Sequence, residues 1–387
     1  MHLPIYLDHN ATTPVRPEVT EAVTRALRDV PGNPSSGHWQ GLEARRVLEQ
    51  ARREVAALVG ADPDRILFTG CATEANNLAI LGLARARQGR GRHLVTTAIE
   101  HPSVRGPMAA LRREGWEVSV LPVDASGRVS VNDLAAVLRE DTVLVSVMHA
   151  NNETGVIQPV AALGALCRER GIPLHVDAAQ SAGKIPVSVA DLGAGLLSIA
   201  GHKFGAPKGV AALYVAPGLT LEPLCYGGGQ EAGLRPGTEN VAWAVGLGVA
   251  ARLACRQMAA TAVRVGALRD RLYRRLLAAV PDIALNGDER ARLPGTLNVS
   301  FPGVEGRALL HAVAATVSAS TGSACHGAGA EAGGVLAAMG LPASRVRGAV
   351  RLSLGPETTV AEVDMAADAL AAAWRELVHR GEDVPRP

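Results

Sequence analysis

The sequence predicts an α/β fold: a large domain with a mostly parallel sheet covered by helices, followed by a smaller α+β domain. Three observations lead there. Short apolar runs at 142–148, 172–176 and 196–200 have strand length and are apolar on both faces. Such strands belong to parallel sheets buried on both sides. They alternate with amphipathic helical patterns, the signature of repeated βα units. From about Ala254 to the end, the chain reads as a second unit with strands at 295–301, 316–318 and 349–354 and a closing helix at 359–379.

Residues 1–15 read as an irregular arm. Pro17 sits at a first helical position, and Pro31-Gly32 ends that helix. Turn residues make 32–36 a loop, and a long amphipathic helix is expected over 43–59. A strand at 65–69 feeds a turn, Gly70 to Glu74, with helix from Ala75 onward. Small residues at a helix start leave backbone N–H groups open to a phosphate, although capping alone also explains Thr73. Strands at 93–97, 116–123 and 142–148 follow, with helices at 131–139 and 160–170. A further strand lies at 210–215, then a polar, glycine-rich region at 227–240, then a long helical stretch at 241–280. The expected division is a large domain over 13–253 and a small domain made of 1–12 and 254–387.

The chain has 387 residues, enough for one large or two joined domains. Hydrophobic residues make up 48% but aromatics only 3%, so the core is packed from Ala, Val and Leu. A net charge of +2 gives no electrostatic case for nucleic acid or a membrane surface. The first residues lack a basic segment and a long apolar stretch, so no signal peptide is expected. The apolar run at 241–251 is too short to span a bilayer. Five cysteines without CxxC spacing argue against a disulfide framework or zinc site, and for a reducing cytoplasm.

Two strand ends carry chemistry. Asp177 closes the run before it, and Lys203 follows the 196–200 run. In α/β sheets ligands bind beyond the carboxyl ends of strands. An acid and an amine at that edge are what pyridoxal phosphate (PLP) requires: a lysine for the imine and an acid for the pyridine nitrogen. Taken alone, the two residues fit an ordinary ion pair better.

Further stretches change that balance. They are Tyr6 to Pro14, Gly32 to Ser36, Ala72-Thr73-Glu74, Glu100-His101, Asn151 to Gly155, His175 to Gln180, Gly201-His202-Lys203, Arg235 to Asn240, Ser323-Ala324-Cys325 and Arg351 to Gly355. In this order they resemble the cysteine desulfurases, within the class V aminotransferase group of fold-type I PLP-dependent transferases.

The resemblance implies roles. Lys203 would bind PLP covalently and later move protons. Asp177 would pair with the pyridine N–H, and Gln180 would bond the phenolic oxygen. His101 would stack on the ring and serve as acid or base. Ala72, Thr73 and His202 would hold the phosphate, and Thr238 the phosphate of a neighbouring subunit, which implies a homodimer with shared sites. Asn152 and Arg351 would hold the substrate carboxylate, for which a planar guanidinium is well suited. No metal site is implied.

Cys325 decides the reaction. It lies in a run of small residues, 320–330, expected to form a loop that moves. A buried-hydrophobe role suits it poorly, while it suits Cys167 and Cys255 on helical patterns. The resemblance implies that Cys325 attacks the sulfur of L-cysteine, releases L-alanine and carries a persulfide to an acceptor or iron–sulfur scaffold protein. His326 adjoins Cys325 but is given no catalytic role.

Three positions depart from the common pattern. Ala200 replaces a frequent serine, Cys71 sits in the phosphate turn, and Ala332-Gly333-Gly334 replaces a proline and bulkier residues. Selenocysteine lyase is the nearest rival, but Pro102 stands where that branch tends to carry an acid. A class V transaminase not using Cys325 and a non-enzymatic scaffold are further alternatives. A scaffold would be expected to have lost Lys203, Asp177, Gln180 or Arg351.

Overall fold

The computed structural model describes residues 3–321 and 334–382. Cys325, with residues 322–330 of the expected loop, lies outside the described residues.

The chain opens with β1 (Ile5–Tyr6), α1 (Pro17–Asp29) and α2 (Trp39–Val59). The first sheet unit is β2 (Ile66–Thr69), α3 (Ala72–Asn77) and α4 (Leu83–Ala86), with a π-helical segment Leu78–Gly82 between the two helices. Then come β3 (His93–Thr97), α5 (Pro102–Arg113), β4 (Glu117–Leu121), α6 (Val131–Val137), β5 (Thr142–Met148), α7 (Val160–Glu169) and β6 (Leu174–Asp177). β7 (Leu196–Ala200), a 3-10 turn Gly201–Lys203, β8 (Ala211–Val215) and α8 (Val241–Ala279) complete this part. The remainder is β9 (Ala284–Leu285), β10 (Thr296–Ser300), α9 (Gly306–Ala312), β11 (Val317–Ser318), α10 (Val335–Ala338), α11 (Ala343–Arg347), β12 (Ala349–Ser353) and α12 (Val360–Glu382).

The large sheet has seven strands in the order β2-β8-β7-β6-β5-β3-β4. Only β8 runs against its neighbours. The carboxyl ends of β2, β3, β5, β6 and β7 therefore meet at one edge. Strands β3, β5, β6 and β7 are buried along their whole length, which explains their mostly apolar character and the absence of charge before Asp177 at the end of β6. A second sheet, β12-β10-β9, is antiparallel, and β1 pairs with β11.

Two main cores follow from this. One includes Val95, Val145, Val176, Leu197 and Ile199 of the large sheet. The other joins Ile5 and Leu7 to Val299, Val350 and Leu370. Helix α8 serves both: Leu247 and Ala251 pack in the first, Leu268 and Leu272 in the second.

Some sequence expectations are corrected. The N-terminal arm is not wholly irregular, because β1 pairs with β11 more than 300 residues away. Helix α2 starts at Trp39, since the His38 ring caps Gly41 N–H. Helix α3 starts at Ala72 rather than Ala75, because the Cys71 thiol accepts the Glu74 N–H. Cys167 is buried as expected, but Cys255 on α8 is exposed.

Candidate active site

A cavity of about 1170 Å³ opens at the sheet edge where those carboxyl ends meet. Each strand delivers something to it. The turn after β2 brings Ala72 and Thr73. The segment after β3 brings Glu100 and His101, and that after β5 brings Asn152. Asp177 ends β6 and Gln180 follows it; His202 and Lys203 follow β7. Arg351 arrives from β12 in the other sheet. Thr238 does not line this cavity and is exposed.

Lys203 Nζ donates to the backbone oxygens of Asn10 (2.6 Å) and Ala11 (2.8 Å). Asp177 is buried, and its carboxylate accepts from Asn76 Nδ2 (2.8 Å) and Ala179 N–H (2.9 Å). Beneath it, His175 spans the sheet between Ser146 (2.8 Å) and Ser198 (3.0 Å). Burial pushes the His175 imidazole down to about 4, so it is a neutral part of the wall at pH 7.

Gln180 donates through Nε2 to Asn10 O (2.9 Å) and accepts at Oε1 from Lys184 Nζ (2.9 Å). The same amine donates to Asn10 Oδ1 (3.0 Å). Burial, with Lys203 and Arg351 nearby, lowers the Lys184 amine to about 7. His202 meets Thr12 Oγ1 at 3.1 Å, and burial plus the charges of Lys203, Lys208 and Lys184 lowers it to about 4. A neutral His202 presents a ring N–H without a full charge.

Arg351 is nearly buried. Its Nη2 pairs with Asp8 (2.6 Å), Nη1 donates to Asn152 O (3.1 Å), and Nε has no hydrogen-bond partner among the described residues. Glu100 Oε1 accepts from Thr97 Oγ1 (2.7 Å) and Met148 N–H (2.8 Å), while Oε2 is buried with no hydrogen-bond partner among the described residues. Burial raises this carboxyl to about 8, so it is mostly protonated at pH 7.

This donor set fits PLP. An amine, a buried carboxylate held by two N–H donors and an oriented amide share one cavity with the start of α3, and the Arg351 guanidinium still has an unpartnered nitrogen. The sequence had offered Lys203, Asp177, Gln180, His101, Thr73, Ala72, His202, Asn152 and Arg351, and all of them line the cavity. It gave no role to Asn10, Asn76, Ser103, Glu100 or Lys184. Lys184, four residues beyond Gln180, left only a spacing as its signal.

The chain matches the aminotransferase class-V family model over residues 5–365. The chain belongs to the class-V aminotransferases. Within this family it is 44% identical to the cysteine desulfurase IscS of Dictyoglomus turgidum over 95% of this chain and 93% of that one. It is 45% identical to the cysteine desulfurase IscS of Pectobacterium atrosepticum, covering 94% and 91%. A solved NifS-like protein superposes with a TM-score of 0.90 at 37% identity, covering 96% of this chain and 99% of that one. The class-V fold is PLP fold-type I, with the mostly parallel central sheet described above.

Proposed function

We propose that the chain is a PLP-dependent cysteine desulfurase that converts L-cysteine to L-alanine and passes the sulfur through Cys325. The observation that carries this reading is the convergence of Lys203, Asp177 and Gln180 with Arg351 on one cavity, in a chain similar to named desulfurases.

PLP, when bound, makes the Cα–H of the amino acid acidic and takes up the electron pair released there. The chain's residues do the rest. Lys203 supplies the amine that holds the cofactor, then carries the Cα proton. Asp177, fixed by Asn76 and Ala179, keeps a negative charge at the pyridine nitrogen. Gln180, whose Oε1 accepts from Lys184, would offer an amide N–H to the phenolic oxygen. Ala72, Thr73 and the neutral His202 bind the phosphate. Arg351 and Asn152 orient the substrate carboxylate, so the substrate sulfur takes one position. His101, which lines the cavity, would cover the ring and serve as acid or base. Cys325, as thiolate, forms an S–S bond to the substrate sulfur while the Cβ–S bond breaks and Cβ gains a proton. The balance is L-cysteine plus the Cys325 thiol giving L-alanine plus the Cys325 persulfide. An acceptor thiol, such as that of an iron–sulfur scaffold protein, then takes the outer sulfur.

We further read the active form as a homodimer. Thr238 is exposed and outside its own cavity, as a residue serving a neighbour would be. Trp39 and Tyr226 are 73% and 85% exposed, unusual for large apolar groups. Light scattering at monomer mass would contradict this. The domain division, 13–253 against 1–12 plus 254–387, is supported by the transfer of α8 from one core to the other between Ala254 and Val265. Hydrogen exchange opening both cores at a single rate would count against it. No helix among the described residues is long and apolar enough to cross a membrane, and a cytoplasmic location is the simplest setting for the unpaired thiols. Processing of the chain in an oxidising compartment would contradict that location.

The functional test is alanine release from L-cysteine and L-selenocysteine, by the wild type and Cys325→Ala. The expected result is alanine from cysteine with the wild type alone. Turnover of selenocysteine only would replace this reading with a lyase. Unchanged cysteine turnover by Cys325→Ala would remove the persulfide step.

A further inference from the structure

We propose that Asn76 and Ser103 are positioning residues that fix which nitrogen of His101 carries the proton, through one directed hydrogen-bond chain running from Asp177. The proposal rests on the reading of His101 as the group over the cofactor ring.

His101 is the N-cap of α5. The Ser103 backbone N–H donates to its Nδ1 at 3.1 Å. An amide N–H can only donate, so Nδ1 presents its lone pair. Ser103 Oγ lies 2.7 Å from the same nitrogen. Asn76 Nδ2 is 2.8 Å from Ser103 Oγ and 2.8 Å from Asp177 Oδ2.

The ionised carboxylate only accepts, so the amide nitrogen of Asn76, not its oxygen, faces Asp177. One amide hydrogen goes to Asp177 and the other to Ser103 Oγ. The hydroxyl proton of Ser103 is then left for His101 Nδ1. Two donors converge on Nδ1, so the neutral ring holds its proton on Nε2. The four participants of this relay come from three elements: Asn76 from α3, Ser103 and the cap residue His101 from α5, and Asp177 from the end of β6.

Asn76 shows the sign of this arrangement. It is fully buried, and its Oδ1 has no hydrogen-bond partner among the described residues. An orphaned buried carbonyl is unfavourable. Turning the amide over would set that oxygen against the Asp177 carboxylate, which is worse. The orphan oxygen is therefore the consequence of committing both amide hydrogens to the relay. A proton arriving at Nδ1 would break the α5 cap and force the Ser103 hydroxyl to reverse. His101 is thus held as an Nε2–H donor, while Asp177 keeps the acceptor that the pyridine side requires.

The test is nitrogen NMR on PLP-loaded enzyme labelled with 15N-histidine, the His101 signals being those lost in His101→Gln. The expected wild-type spectrum has Nδ1 unprotonated and Nε2 protonated. Ser103→Ala and Asn76→Ala leave only the backbone N–H of residue 103 as a fixed donor to Nδ1, so the two signals move part of the way toward each other as the second tautomer becomes populated. In both variants kcat falls about 10- to 100-fold, less than the roughly 10²–10⁴-fold a whole acid–base group contributes, with KM and PLP content held. Ser103→Thr, which keeps the hydroxyl, restores both signals and kcat. A protonated Nδ1 in the wild type, or His101 signals unmoved in both alanine variants, would overturn the relay. The spectra need no turnover, so absence of alanine beside the expected tautomer would count against the desulfurase reading alone.

Discussion

Arg351 is the residue whose environment most narrows what the site can bind. Asp8 and the Asn152 carbonyl occupy its two terminal nitrogens, yet Nε is buried with no hydrogen-bond partner among the described residues. A carboxylate entering the cavity satisfies that nitrogen and competes with Asp8. Lysine has a single point of charge and cannot serve both. Arg351→Lys is expected to raise KM for L-cysteine about tenfold, equivalent to about 1.4 kcal/mol, with a smaller change in kcat. Steady-state alanine release checks this, and an unchanged KM would contradict it. Lys203 and Asp177 were legible in the sequence because charged residues closing apolar runs stand out, whereas Arg351, in the middle of β12, was legible only through the family resemblance. Asn76, Ser103 and Lys184 were not legible. Their importance lies in partners 27 to 174 positions away, and as isolated polar residues they resemble any cap or surface group.

Among the elements, strands were the easiest to place. β3, β5 and β7 begin and end where the sequence reading places them, since burial on both faces keeps charged residues out and leaves only Ser, Thr and His among the apolar positions. Helix starts were harder. His38 and Cys71 serve as N-caps through side chains that are not usual capping groups, so α2 and α3 begin three or four residues earlier than the periodicity indicates. β1 was invisible because two residues gain strand character only from a partner at the far end of the chain. The segment after β6 has one further demand. Gly183 has φ +77°, and a Cβ there would lie 2.7 Å from the Phe204 Cβ. That turn returns Lys184 to Gln180. Gly183→Ala is expected to lose about 1–2 kcal/mol from the left-handed backbone, before any movement of Phe204. A melting temperature equal to wild type would contradict this.

For the whole molecule, buried ionisable groups set the pH range of stability. His9, His149 and His175 are all lowered to about 4, chiefly by burial. A base depressed in the folded state contributes fully above its unfolded value near 6.5, and that contribution is lost as pH falls toward 4. Glu100, raised to about 8 by burial, acts the other way. Its contribution is full below about 4.5 and is lost as pH rises through 8. Between pH 6.5 and 4.5 these three histidines, joined by His202, oppose the single carboxyl, so the urea midpoint is expected to fall on acidification. A midpoint that rises over that interval would contradict the burial of these histidines. Glu100→Gln removes the opposing group, so its stability relative to wild type is expected to increase from pH 4.5 to 8.

At the same scale, the two sheets bring Lys203, Asp177 and Arg351 to one cavity, and the proposed function has that cavity deliver a single sulfur to Cys325. The most direct test is mass spectrometry of the Cys325 peptide after one turnover with L-cysteine, trapped before an acceptor is added. The expected result is one added sulfur on Cys325, equal in amount to the alanine released. Alanine formed with Cys325 unmodified would contradict the account.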